Sequence, residues 1–174
     1  MSSARIPSKQ SKKVLQLKII LLGTTPKIWR RIHIPANFTF AQLHTTIRHA
    51  MDWMEGEFHV FQANNSKTRT QDLIGIPPKF EDNWNFFGPE VYDEDKMAVY
   101  NYLNNENKTL HYLYDFEDGS WKMKIILEKK LLRESDEKYP RCVDGRCSTP
   151  SEILGIICAL DEFDPKFAFA SFPY

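Results

Sequence analysis

The sequence predicts an α+β fold, a mixed β-sheet of three to five strands with one main helix packed on a face. Three observations carry this. Val14 to Leu21 alternates apolar and polar residues, and Ile28 to Ile34 repeats the alternation after a break. A period of two marks strands with one buried face. From Phe40 to Met54 the apolar residues change to helical spacing. From Thr109 to Glu128 the alternation resumes on both sides of Asp118-Gly119, a hairpin signal.

Residues 1–12 mix serine with Arg5, Lys9 and Lys12 and hold no acid, the composition of a flexible basic tail. A single domain then occupies residues 13–174. Leu15, Leu17, Ile19 and Leu21 share one face, with Gln16 and Lys18 opposite. Gly23-Thr24-Thr25-Pro26 turns the chain, and Ile28, Ile32 and Ile34 return on a face that includes Arg30. That arginine must carry its charge to an edge or a partner. Trp29, Arg31 and His33 take the other face.

The helix has complete start signals. Thr39 can cap, Gln42 completes a capping box, and Phe38 is placed to staple to Leu43. Phe40, Leu43, Ile47, Ala50, Met51 and Met54 mark its buried stripe, and Glu55-Gly56 stops it. Phe58 to Ala63 is the next strand. Residues 64–96 form a long excursion around Trp84, Phe86 and Phe87, and a loop of that length in a compact domain is functional or mobile. Met97 to Leu103 suits a short helical turn. In the hairpin Trp121, Met123, Ile125 and Leu127 share one face, while Lys122, Lys124 and Glu128 share the other. Residues 129–152 read as a charged loop, and 153–174 as an apolar tail that packs back. The order hairpin, helix, strand, excursion, hairpin suggests a β-grasp (ubiquitin-like) arrangement.

The balance of 23 basic and 23 acidic residues leaves no excess charge to draw the molecule to nucleic acid or membrane. No segment is apolar over the length that spans a bilayer, and the N-terminus lacks the apolar run of a signal peptide. A cytoplasmic protein without a membrane partner is expected. Three cysteines are an odd count, against a closed disulfide framework. Cys142 and Cys147 stand in a Cys-x4-Cys spacing with no second pair, which does not supply four zinc ligands. No metal and no cofactor is expected.

The sequence points to no reaction. It has no Gly-rich phosphate loop, no Gly-x-Ser-x-Gly and no His-Glu-x-x-His. Asp115 and Asp118 could form an acid/base pair, yet aspartates beside Gly119 serve a tight turn for backbone reasons. A cysteine acting with His59 or His111 would need hydrogen-bond reach. Arg30 and Arg31 beside Trp29, set against Asp115 and Asp118 near Trp121, suggest instead a paired polar feature on one sheet.

These segments carry a resemblance. Val14–Met54 with Trp29-Arg30-Arg31 and Leu43-His44, then Phe58-His59-Val60-Phe61, Tyr114–Leu127 and Tyr139–Gly155, are similar in order to the Ri-plasmid ORF-three-like family, some members of which are labelled transposon passenger or TnpR-like proteins. The resemblance implies a compact α+β domain with a mixed sheet and carries no activity. Family members tend to read Asp-Phe-Gly-Asp, one residue, Trp, an acid and His. Here Glu117 replaces the glycine, one more residue precedes Trp121, and Lys122-Met123 stands where the acid and histidine would be. The family's later Cys-Pro-Pro-Glu-Asp element is also altered: Thr149 takes the cysteine's place, Cys147 is out of step, and Ile153 replaces the aspartate.

The expected function is a non-enzymatic binding module that recognises a protein through its tryptophan-bearing sheet face and an acidic, aromatic loop. Trp84, Phe86 and Phe87 would anchor, and Glu90, Asp93, Glu94 and Asp95 would steer a basic partner. The alternative is a nucleic-acid-binding accessory protein of mobile-element origin using Trp29, Arg30, Arg31, Lys122 and Lys124. A third reading, an enzyme with an Asp/His site, requires those groups to converge in a pocket.

Overall fold

The computed structural model describes residues 12–53, 58–77, 90–116 and 119–149 of the 174. Its strands are β1 (Lys13–Leu21), β2 (Trp29–Pro35), β3 (Phe58–Asn65), β4 (Thr70–Gly75), β5 (Val91–Asp93), β6 (Thr109–Phe116), β7 (Gly119–Leu132) and β8 (Arg141–Arg146), with one α-helix, α1 (Phe40–Met51). They form one sheet of eight strands in the order β5-β4-β3-β6-β7-β1-β2-β8. β4 and β5 run parallel, and every other described pairing is antiparallel. The fold is thus α+β with a mixed sheet, as expected, but larger than three to five strands.

The two hairpins and the helix form where their patterns predict. Leu17, Ile19 and Leu21 of β1 and Met123, Ile125 and Leu127 of β7 are buried on the inner face. α1 lays Phe40, Leu43, Ile47, Ala50 and Met51 into the same core. Thr39 and Gln42 form the capping box, the Thr39 hydroxyl accepting from the Gln42 N–H at 3.3 Å and the Gln42 side chain from the Thr39 N–H at 3.0 Å. The helix ends before Glu55-Gly56. Asp52 adopts the left-handed conformation (φ 54°) and its N–H reaches the Arg48 and His49 carbonyls, so an aspartate replaces the expected glycine stop. Met54 lies outside the described residues. The helical turn near Met97 is a short 3₁₀ segment, Val99–Asn101.

The 64–96 excursion is more regular than expected. β3 continues to Asn65, whose side chain accepts from the Lys67 and Thr68 N–H groups, and the chain returns as β4. Asp72 faces the core from β4 because Asn65, Thr70 and Tyr102 all donate to it, the phenol at 2.9 Å. A buried aspartate interrupts the apolar alternation, which hid this strand from a pattern reading. The 129–152 stretch also departs from a plain loop, since β7 runs to Leu132 and β8 closes the sheet edge beside β2. The 153–174 tail lies outside the described residues.

Candidate functional site

The sheet has two unlike faces. Apart from α1 and the short 3₁₀ segment Val99–Asn101 on the inner face, no described helix or second sheet packs on it. The outward face carries Lys122 and Lys124 of β7, Lys18 and Ile20 of β1, Trp29 and Arg31 of β2, and Arg146 of β8. Cross-strand pairing sets Lys124 beside Ile20, Ile20 beside Trp29, and Trp29 beside Arg146. Trp29 is half-buried and fixed by cations: the Lys18 ammonium lies 4.3 Å and the Arg31 guanidinium carbon 5.1 Å from its ring.

Arg31 is itself held from two sides. β7 carries a bulge at this point, Leu17 pairing with Leu127 and Gln16 with Lys129, so that Glu128 is the extra residue. Its carboxylate accepts from Arg31 Nε at 2.6 Å and Nη2 at 3.1 Å, while Asp144 accepts from Nη1 at 2.6 Å. Gln16 adds a hydrogen bond to Glu128 at 2.8 Å. The hydrogen bond from Arg31 holds the Glu128 carboxyl below its ordinary range, and Glu128 in turn raises Arg31. The expected pairing of arginines with the Asp115–Asp118 bend is therefore corrected. β2 lies in one sheet with β6 and β7, the strands that flank the bend, yet Arg31 takes its carboxylates from β7 and β8. Asp118 and the side chain of Asp115 lie outside the described residues.

Arg30 points the other way. It is buried, 3% exposed, and donates to the carbonyls of Ala50 at the end of α1, Trp29, Arg146 and Cys147 at 2.9 to 3.2 Å. Burial lowers its pKa to about 10, so it remains a cation at neutral pH. It joins the helix C-terminus to the β8 edge, where a positive charge is favoured. This removes Arg30 from any exposed surface. Trp121 also faces inward, stacked on Trp53, which stacks on Tyr114 at 5.1 Å. The two tryptophans read as a matched pair thus occupy opposite faces.

A second polar group lies on the inner face. His44 of α1 stacks on His59 of β3 with centroids 3.5 Å apart and planes 7° from parallel. His59 Nε2 meets Glu94 Oε2 at 2.6 Å, and His44 Nδ1 meets the Tyr112 hydroxyl of β6 at 2.8 Å. Burial pushes His44 down to about 3, with His59 and Arg48 adding to the effect. His44 is thus a neutral imidazole that secures the helix to the sheet. It sits in the stripe Phe40, His44, Ile47, Met51, and a histidine among apolar helical positions was the signal available in the sequence.

The acidic segment is partly spent on structure. Glu94 is 8% exposed and bound to His59, so it is not free to steer a partner, while the part-exposed Asp93 pairs with Lys96 at 2.7 Å on the surface. Glu90 and Asp95 are exposed. Trp84, Phe86 and Phe87 lie outside the described residues. For Cys142 the cysteine–histidine idea fails on topology, since its strand β8 is separated from His59 by β6, β7, β1 and β2; Cys158 lies outside the described residues. His111 faces outward on β6 beside Lys124, also remote from β8. Met123, where relatives tend to place a histidine, is fully buried opposite Tyr112. Among the described residues no cluster of three or more His, Cys, Asp or Glu could hold a metal, and no helix is long and apolar enough to cross a membrane.

Comparison with known proteins agrees with this architecture. The crystal structure of a protein of unknown function, MM3350 from Methanosarcina mazei Go1, superposes with a TM-score of 0.72 at 38% identity, over 82% of this chain and 75% of that one. The uncharacterized protein y4hQ of Sinorhizobium fredii is 26% identical over 152 residues, spanning 86% of this chain and 71% of the relative. The family model described as plasmid pRiA4b ORF-3-like protein matches residues 13–165, and the chain belongs to that family.

Proposed function

We propose that the protein is a non-enzymatic binding module whose working surface is the outward sheet face around Trp29. One observation carries the reading. Trp29 and Arg31 are locked in place by Lys18, Glu128 and Asp144 on a face that no described element covers. Side chains fixed before binding lose little entropy on association, and a fixed Trp-Arg pair is a common interface anchor. The exposed Glu90 and Asp95, with Trp84, Phe86 and Phe87, would form a second contact region. A protein partner is the primary reading, and free Cys142 and Cys147 suit a reducing cytoplasm. We also read the β1–β2 hairpin with α1 on its inner face as β-grasp-like, on the order hairpin, helix, strand.

A nucleic-acid accessory role of mobile-element origin is the second reading, favoured by Lys122 and Lys124 on the same face. A photo-crosslinking residue at His111, outward on β6, tests the module directly. It should capture a defined protein in cells, a control at Lys67 on the β3–β4 turn should not, and Trp29→Ala should abolish the adduct. Identical adducts from both positions, or adducts indifferent to Trp29→Ala, would overturn the reading.

A further inference from the structure

Resting on that reading, we infer that the partner presented to the Trp29 face is an extended polypeptide segment rich in Asp and Glu. The charge balance of the face points to it. Its described carboxylates, Glu128 and Asp144, are both engaged by Arg31. Lys122, Lys124 and Arg146 have no ion pair among the described residues, and Lys18 lies over the Trp29 ring, with its charge also felt by Glu128. Among the described residues the face therefore carries more cations (Lys18, Arg31, Lys122, Lys124, Arg146) than carboxylates (Glu128, Asp144), in contrast to the neutral whole chain.

Spacing and geometry favour a polypeptide. Lys122 and Lys124 point the same way two residues apart on β7, which is about 6.6 Å. Lys18 is diagonal to Lys124 through the Ile20–Lys124 and Lys18–Ile126 pairings, at roughly 7–8 Å. Alternate side chains of an extended peptide recur at about the same interval. Exposed nonpolar surface from half-buried Ile20 and Ile126 lies between the cations and suits the Cβ atoms of such a segment.

Two features weigh against a nucleic-acid strand. Sequence-independent single-strand binding needs open aromatic faces for bases, and the Trp29 ring is taken up by Lys18 and Arg31. The Glu128 and Asp144 carboxylates, though held by Arg31, keep lone pairs that accept hydrogen bonds from peptide N–H groups, which a nucleic-acid backbone lacks.

Fluorescence anisotropy with the full chain decides this, using a labelled peptide of alternating Glu and Ser, its Lys-Ser counterpart and an oligo-dT strand as probes. The Glu-Ser peptide should bind at low salt and weaken about tenfold or more as salt is raised to physiological strength. Lys122→Glu/Lys124→Glu should remove that binding while the thermal midpoint stays near that of the parent, and the Lys-Ser peptide should not bind. Oligo-dT binding as tightly as the acidic peptide would overturn the inference in favour of nucleic acid. Absence of acidic-peptide binding, with the His111 crosslink intact, would overturn the partner chemistry and leave the binding module standing. Loss of both would remove the module as well.

Discussion

Glu128, the extra residue in the β7 bulge, reaches across β1 to grip Arg31 of β2 through two hydrogen bonds of 2.6 and 3.1 Å. The bulge turns the carboxylate toward the guanidinium, so a backbone irregularity sets the shape of the outward face. Glu128→Ala and Arg31→Ala should each cost about 1–2 kcal/mol, and a double-mutant cycle should recover coupling of about 1 kcal/mol, the pair being only partly buried. The sign with pH is fixed by the depressed Glu128 pKa. The contribution is present above the ordinary carboxylate value of 4.5 and is lost as pH falls through the lower folded value. Urea denaturation of parent and Glu128→Gln should therefore diverge at pH above 4.5 and converge in acid.

Arg30 should matter more than Arg31 for stability. Replacement by Met leaves the Ala50, Arg146 and Cys147 carbonyls without their donor in a buried place. A loss of about 2–4 kcal/mol is expected. Arg30→Lys should restore little of it, because one ammonium cannot span the helix end and the β8 edge. Thermal denaturation of the two variants checks this, and a Lys variant as stable as the parent would contradict it.

His44 predicts an acid sensitivity. Its folded pKa is about 3 against an ordinary 6.5, so between those values the unfolded chain binds a proton that the folded chain refuses. Stability falls as pH drops from 6.5 toward 3 and is independent of this group above 6.5. The groups facing it are His59, Glu94 through His59, Tyr112 and Arg48. His44→Gln should flatten the slope of stability against pH in that window by up to a few kcal/mol overall. An unchanged slope would show that His44 is not buried as a neutral ring.

The Asp72 network gives a fourth expectation. Tyr102→Phe removes one of three donors to a buried carboxylate and should cost about 1–2 kcal/mol. Asp72→Leu should be worse, because Asn65 then loses its acceptor at the β3–β4 turn. Hydrogen exchange should locate the added opening in β3 and β4.

Local patterns carried much of this architecture. The β1–β2 and β6–β7 hairpins follow from alternation, and α1 from its capping box and apolar stripe, because each depends on neighbours close in sequence. β4 was hidden by inward-facing Asp72, a polar residue whose donors come from Asn65, Thr70 and the distant Tyr102. β8 was hidden because an edge strand with only half-buried and exposed residues has little alternation to read. The site was legible in its residues and not in its pairings. Trp29 and Arg31 stood out as candidates, structural or nucleic-acid-binding, but a bulge on β7 decided that Glu128 would be Arg31's partner. Glu94 read as a solvent-facing acid because its contact with His59 spans 35 positions of sequence.

Amide chemical-shift mapping with the Glu-Ser peptide tests the central claim most directly. The account predicts shifts concentrated at Lys18, Ile20, Trp29, Arg31, Lys122, Lys124 and Arg146, with α1 unmoved. Shifts confined to α1 or to the β3–β4 turn, with the Trp29 face silent, would contradict it.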